Sequence, residues 1–186
     1  MARRKKSIHL TSILTLVIIF SFAYFFNLIP FQNQTQSIQP DSTQVFFSPE
    51  DNCDLKVIQL IDSANESIDI AVYSFTLDSI GDAVIRAKKR GVKVRVVTEK
   101  QQVSQYSEYW KLLNEGIEVF NDSNSAFMHD KFAVIDGKIV LTGSYNWSRQ
   151  ATERNNENLI IIYSEEIASE YEKEFEKIFE EAKASV

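Results

Sequence analysis

Residues 128–146 read MHDKFAVIDGKIVLTGSYN, and this stretch decides how the rest of the chain is assembled. Two short apolar runs, 131–135 and 138–141, flank Asp136-Gly137. That dipeptide accepts positive φ at both central positions of a tight turn, so an antiparallel hairpin is expected here. Upstream the rhythm changes. Segment 68–75 (IDIAVYSF) is short, β-branched and aromatic, as a buried strand requires, and 92–97 and 117–120 continue in the same character. Between the first two, Ile80, Ala83, Val84 and Ala87 recur at helical spacing. They end in Lys88-Lys89-Arg90-Gly91, bases at the negative end of the helix dipole followed by a stop. Tyr106, Trp110 and Leu113 mark a further helix closing at Gly116. Alternation of strand, helix and strand builds parallel sheet.

Before the first strand, Ser48-Pro49-Glu50-Asp51 offers an N-cap, a proline at the first helical position and acids in the first turn. A helix with Val57, Leu60, Ile61 and Ala64 on one face is expected to follow. Beyond the hairpin, 158–163 reads as a strand, and Ser164 caps a last helix presenting Ile167, Ala168, Tyr171, Phe175, Ile178, Phe179 and Ala182 to the core. The eight Glu of 165–186 form its solvated face. The fold expected is α/β, a mixed, largely parallel sheet flanked by helices, with no internal repeat.

The chain has 186 residues, of which 44% are hydrophobic and 25% charged, values that exclude low-complexity or collagen-like character. A single Cys53 excludes an intramolecular disulfide and any multi-cysteine metal site, and two His exclude a His-rich cluster. Arg3, Arg4, Lys5 and Lys6 precede residues 8–29, which contain no Asp, Glu, Lys or Arg. As a helix that segment would span about 33 Å, enough to cross a bilayer. Residues 1–31 are therefore expected to be a membrane anchor or signal segment. No A-x-A-like cleavage site follows it, which favours an uncleaved anchor. The basic cluster should stay cytoplasmic, placing the remainder in the periplasm or cell exterior, or secreting it if the segment is cleaved. Residues 32–44 are polar and read as a flexible linker, leaving 45–186 as one folded domain. Beyond the basic cluster the chain is acidic, so a generally basic nucleic-acid binder is excluded. Seven bases between 86 and 100, against Glu99, still allow a local backbone-binding strip.

Chemistry concentrates at the hairpin: His129, Lys131, Asp136, Ser144, Asn146 and, past a loop, Glu157. Residues two apart in a strand share a face, so His129 goes with Lys131 and Ser144 with Asn146. The set suits a phosphoryl group. Lys131 supplies charge, Ser144 and Asn146 supply donors to non-bridging oxygens, and a histidine can attack or shuttle a proton near neutral pH. Asp136 is also what the Asp-Gly turn alone would demand, and Glu157 could be an ordinary charge at a strand start. Trp147 and Tyr145 suit stacking on a ligand or packing in the core equally well.

The spacing His129-x-Lys131, four residues, Asp136, six residues, Gly143-Ser144-x-Asn146 resembles the H-x-K-x4-D-x6-G-S-x-N motif of the phospholipase D superfamily, and Glu157 stands where that family carries a further acid. The resemblance extends over residues 45–180 and is strongest to the small single-motif members, bacterial envelope endonucleases and their membrane-anchored relatives. It implies a metal-independent phosphodiesterase, needing no cofactor, that works through a phosphohistidine. His129, Lys131, Asp136, Ser144, Asn146 and Glu157 would be catalytic. Lys131, Ser144 and Asn146 would bind the phosphate, and Asp136 or Glu157 would accept a hydrogen bond from a histidine's second nitrogen. His9 lies in the uncharged N-terminal segment, so each domain has one catalytic histidine, and the two-histidine mechanism implies a homodimer with the hairpins facing across a two-fold axis. The substrate expected is nucleic acid, DNA or RNA, cleaved nonspecifically. The alternatives are phospholipid head groups and, from another class, a noncatalytic nucleic-acid or membrane-surface binding module.

Overall fold

The computed structural model describes residues 42–186. The expected anchor and the linker up to residue 41 lie outside the described residues. Among the described residues no helix is long and apolar enough to cross a membrane.

The chain runs through strand β1 (Ser42–Ser48), helix α1 (Cys53–Ser63), β2 (Ser67–Val72), α2 (Asp78–Lys89), β3 (Lys93–Thr98), α3 (Tyr109–Asn114), β4 (Glu118–Asn121), β5 (Lys131–Ile135), β6 (Ile139–Gly143), α4 (Arg149–Glu153), β7 (Glu157–Tyr163) and α5 (Glu165–Ala184). All seven strands join one sheet in the order β1-β7-β6-β5-β2-β3-β4. The βαβ units give the parallel pairs β2–β3 and β3–β4. The remaining pairings, β2–β5, β5–β6, β6–β7 and β1–β7, are antiparallel. The sheet is thus mixed, as expected, but its parallel part is the smaller one, because the 138–163 region returns by hairpin and short loop rather than by helical crossover.

Helices cover both faces. On one, α1 contributes Cys53, Val57 and Ile61, and α2 contributes Ile80, Ala83, Val84 and Ala87, packed on Ile68, Ile70, Val94 and Val96 of the sheet. On the other, Ala168, Phe175, Ile178, Phe179 and Ala182 of α5 cover Ala71, Val97, Phe132, Val134 and Val140. Residues of β2 and β5 are buried on both sides, which is why those segments are apolar without alternation. Ser164 caps α5 as expected, its hydroxyl accepting from the Ile167 N–H. Arg95 forks onto Asp69 at 2.8 and 2.9 Å, donates to Glu176 of α5 at 2.7 Å, and lies over the rings of Phe175 and Phe179. That buried pair ties the last helix to the centre of the sheet.

Two local expectations need correction. Residues 42–44 are part of β1 rather than linker, and β1 pairs with β7 from Ser42↔Tyr163 to Ser48↔Glu157. The strand lies at the sheet edge with most of its residues exposed, so its Thr and Gln look like solvated linker. Ser48 ends that strand and does not cap α1. The helix begins after Asn52, which sits in the left-handed region at φ 51° and makes no side-chain cap. Asparagine tolerates that conformation, and the intervening turn is held by the Asp51 N–H on Phe47 O and the Phe47 N–H on Asp51. Cys53 is fully buried, and burial, with Asp51 and Asp54 nearby, pushes its thiol up to about 11, so it is no candidate nucleophile.

Candidate active site

Strands β2, β3 and β4 end at the same edge of the sheet at which β6 ends and β5 and β7 begin. Open α/β sheets bind ligands at the carboxyl ends of their parallel strands, and the candidate residues other than Asp136 gather there. Lys131 is the first residue of β5, and His129 precedes it on an irregular segment. The Lys131 ammonium donates to His129 O at 2.6 Å and lies 3.2 Å from His129 Nδ1. Burial lowers the Lys131 pKa, with Asp130 and Glu157 acting in the opposite direction. A partly desolvated ammonium beside an exposed imidazole is suited to gripping an anion that the imidazole attacks.

Antiparallel pairing of Phe132 with Thr142 brings the end of β6 alongside the start of β5, with Ser144 just beyond Gly143. The Ser144 hydroxyl donates to Glu157 Oε2 at 2.6 Å and accepts from the Asn158 N–H at 3.1 Å. Glu157 Oε1 accepts from Asn155 Nδ2 at 2.8 Å. Asn146 Oδ1 accepts the Ser74 N–H at 3.2 Å, which fixes its amide and leaves the Nδ2 donors for another acceptor. His129 with Lys131, and Ser144 with Glu157, are therefore brought into contact, while Asn146 is braced by the segment after β2.

Asp136 is not brought there. It sits at the opposite end of β5, at φ 53° in the turn that Gly137 completes at φ 62°. Its carboxylate accepts the backbone N–H groups of Asn65, Glu66 and Ser67. The structure thus gives it a role in joining the hairpin to the start of β2, and no bond to a histidine. Glu157 also makes no bond to His129 within the chain, since its oxygens serve Ser144 and Asn155.

The structure adds residues that the sequence did not single out. The Tyr73 ring lies 4.5 Å from that of His129, and Lys131 Nζ is 4.9 Å from the same Tyr73 ring. Tyr73 OH accepts from Gln102 Nε2 at 3.1 Å, and its N–H donates to Asp130 O at 2.8 Å. Phe127, half-exposed, packs edge-on against Tyr73. The available signal was the position of Tyr73 just past a parallel strand's carboxyl end. Tyr145 and Trp147 are each only 2% exposed, Trp147 meeting Phe75 edge-on, so they are core rather than stacking platforms.

The basic strip does not flank this cluster. Arg86 pairs with Asp62, Lys89 with Glu115 and Arg95 with Asp69, and Arg90 donates to Ile61 O and Ala64 O. These bases sit at the end of α2 or early in β3, near the opposite edge of the sheet. Lys100 alone follows β3 at the site edge.

Gly143 shapes the site by backbone proximity. It adopts φ 145°, and a Cβ there would lie 2.2 Å from Asn158 O. Gly143→Ala should cost about 2 kcal/mol, through the positive φ and the contact with backbone that cannot yield cheaply. Urea unfolding of the two proteins checks this, and an unchanged midpoint would contradict it.

A mixed sheet between two helical layers, with an H-x-K and a G-S-x-N converging at one edge, defines a phospholipase D-like domain. The family described as "Cardiolipin synthase, PLD-like domain" matches residues 57–179, and the chain belongs to the phospholipase D superfamily. Over 127 residues it is 39% identical to a mitochondrial cardiolipin hydrolase of Xenopus tropicalis, covering 68% of this chain and 60% of that protein. It is 36% identical over 126 residues to a phospholipase D of Rickettsia prowazekii, covering 67% and 62%. The chain spans about three fifths of the length of these curated relatives. Among solved structures it is similar to Nuc of Salmonella typhimurium, a phospholipase D family member, with TM-score 0.72 and 33% identity over 76% of this chain and 95% of that one.

Proposed function

We propose that the protein is a metal-independent phosphodiester hydrolase working through a phosphohistidine. The observation that carries this is the exposed His129 imidazole beside the partly buried Lys131 ammonium, with Ser144 and Asn146 at the adjoining strand end. His129 attacks phosphorus, a P–N bond forms, and the P–O bond to the leaving alcohol breaks. A second imidazole gives that oxygen its proton. Water then attacks phosphorus, losing a proton to the same imidazole, and the P–N bond breaks. Lys131, Ser144 and Asn146 hold the non-bridging oxygens. Glu157 accepts a histidine N–H once its bond to Ser144 is exchanged, and the second imidazole comes from a second copy, so the working form is a homodimer.

The substrate reading taken first is nonspecific cleavage of DNA or RNA outside the cytoplasm by a chain anchored through residues 1–31. The names of the cardiolipin hydrolase and phospholipase D relatives support the second, phospholipid head groups. The pairing of Arg86, Lys89 and Arg95 with acids away from the site edge weakens one support for nucleic acid, while Lys100 remains at that edge. With EDTA present, purified protein should hydrolyse plasmid DNA or cardiolipin and phosphatidylcholine vesicles. Cleavage of vesicles alone removes the nuclease reading, and cleavage of neither leaves the binding-module reading. Sedimentation at assay concentration should show a dimer, and an active monomer would overturn the shared site.

A further inference from the structure

We propose that Glu99 is a positioning residue for the His129 nucleophile, an inference that rests on the phosphohistidine reading above. His129 lies in residues 122–130, which form neither helix nor strand, so no regular ladder fixes its backbone. Two hydrogen bonds bracket it instead. On one side the Tyr73 N–H donates to Asp130 O at 2.8 Å. On the other, the Met128 N–H donates to Glu99 Oε2, also at 2.8 Å. The first is backbone to backbone, whereas the second depends on one side chain.

Glu99 reaches the imidazole by a second route. Its Oε1 accepts the Gln101 N–H at 2.9 Å, capping the short turn Lys100–Gln102. Gln102, at the end of that turn, donates to Tyr73 OH at 3.1 Å, and the Tyr73 ring lies 4.5 Å from the His129 ring. One carboxylate therefore holds both the main chain beside the nucleophile and the turn that steadies the aromatic face against which the nucleophile rests.

The setting of Glu99 argues that this arrangement has a use beyond packing. The residue is 2% exposed, and among the described residues it forms no ion pair with Lys, Arg or His. Its near charge is Asp122, another buried acid, whose pKa is raised first by burial and further by Glu99. An unpaired buried carboxylate beside a like charge is a poor way to stabilise a fold. It is a good way to supply two strong acceptors, at fixed separation, to two backbone donors, one 2 residues away and the other 29 residues away in the chain.

Glu99→Gln tests this because the amide keeps the shape but has one acceptor for two N–H donors, so one donor must face an NH2. In the full-length protein with EDTA, kcat for bis(p-nitrophenyl) phosphate should fall about 10- to 100-fold with KM within about twofold, the split expected when a reacting group is misplaced rather than a binding group lost. Val119→Ala, a core truncation in β4, serves as the stability control: it lowers the melting temperature and should leave kcat per folded molecule near wild type. A Glu99→Gln enzyme with kcat within about twofold of wild type would overturn the proposal. If the wild type hydrolyses neither this diester nor the DNA and vesicles above, the hydrolase reading is what fails, and the His129 ring resonances decide the positioning claim separately. Glu99→Gln should broaden or double the His129 Cε1–H signal, and an unchanged signal would refute it.

Discussion

His129→Ala is expected to lower turnover by a factor on the order of 10⁴ or more while leaving the fold intact. The size follows from the role proposed for His129 as the nucleophile, for which no other side chain at the site can substitute. Lys131 reaches His129 through the backbone carbonyl at 2.6 Å, a bond that survives truncation, so the phosphate-gripping ammonium stays in place. The imidazole is exposed and its removal leaves no cavity in the core, so the melting temperature should move little. Initial rates in EDTA on whichever diester the panel identifies, together with acid-labile phosphoenzyme trapping, check the result. A variant keeping a tenth of wild-type activity would refute the assignment. The same variant probes the shared site. If each reaction consumes one imidazole from each chain, randomly exchanged equimolar mixtures of wild type and His129→Ala retain about a quarter of the activity, whereas self-sufficient chains retain about half.

Much of this site was legible because the Asp136-Gly137 turn fixes which ends of β5 and β6 lie side by side. His129, Ser144 and Asn146 lie just outside those strands, so their meeting comes from the hairpin's register and not from a shared strand face. What stayed illegible depends on contacts distant in sequence. Tyr73 in 68–75 looks like one more apolar strand residue until β5 is placed antiparallel to β2, which brings Asp130 against its N–H. Glu99 reads as a lone acid among bases, and only the fold buries it under Met128. β1 was hidden for the opposite reason: an edge strand exposes polar side chains, and pairing with β7 supplies the order that composition does not. The partners of the basic strip were illegible for a like reason: Asp62, Glu115 and Asp69, which pair with Arg86, Lys89 and Arg95, belong to other elements.

Asp136 separates motif membership from catalysis, and Asp136→Ala is expected to cost about 3 kcal/mol in stability with kcat per folded molecule unchanged within about twofold. Three backbone donors, at Asn65, Glu66 and Ser67, lose a charged acceptor. Water can replace part of this at the exposed Asn65 and Glu66, which keeps the cost below the sum of three buried losses. Alanine also takes on the strain of φ 53°, which Asp and Asn tolerate. Asp136→Asn therefore isolates the charge and should cost less, about 1 kcal/mol. The pH dependence carries a definite sign. Burial alone would raise the Asp136 carboxyl, but the Ser67, Glu66 and Asn65 donors and Lys138 together hold its pKa below the ordinary value. A depressed folded pKa means the stabilisation is fully present above the unfolded pKa of about 3.9 and is lost as pH falls through the folded value. Unfolding free energies of wild type and Asp136→Asn should consequently differ at neutral pH and converge below about pH 4. Parallel curves down to pH 2 would overturn this electrostatic account, and a kcat loss matching that of His129→Ala would show that the carboxylate acts at the phosphate after all.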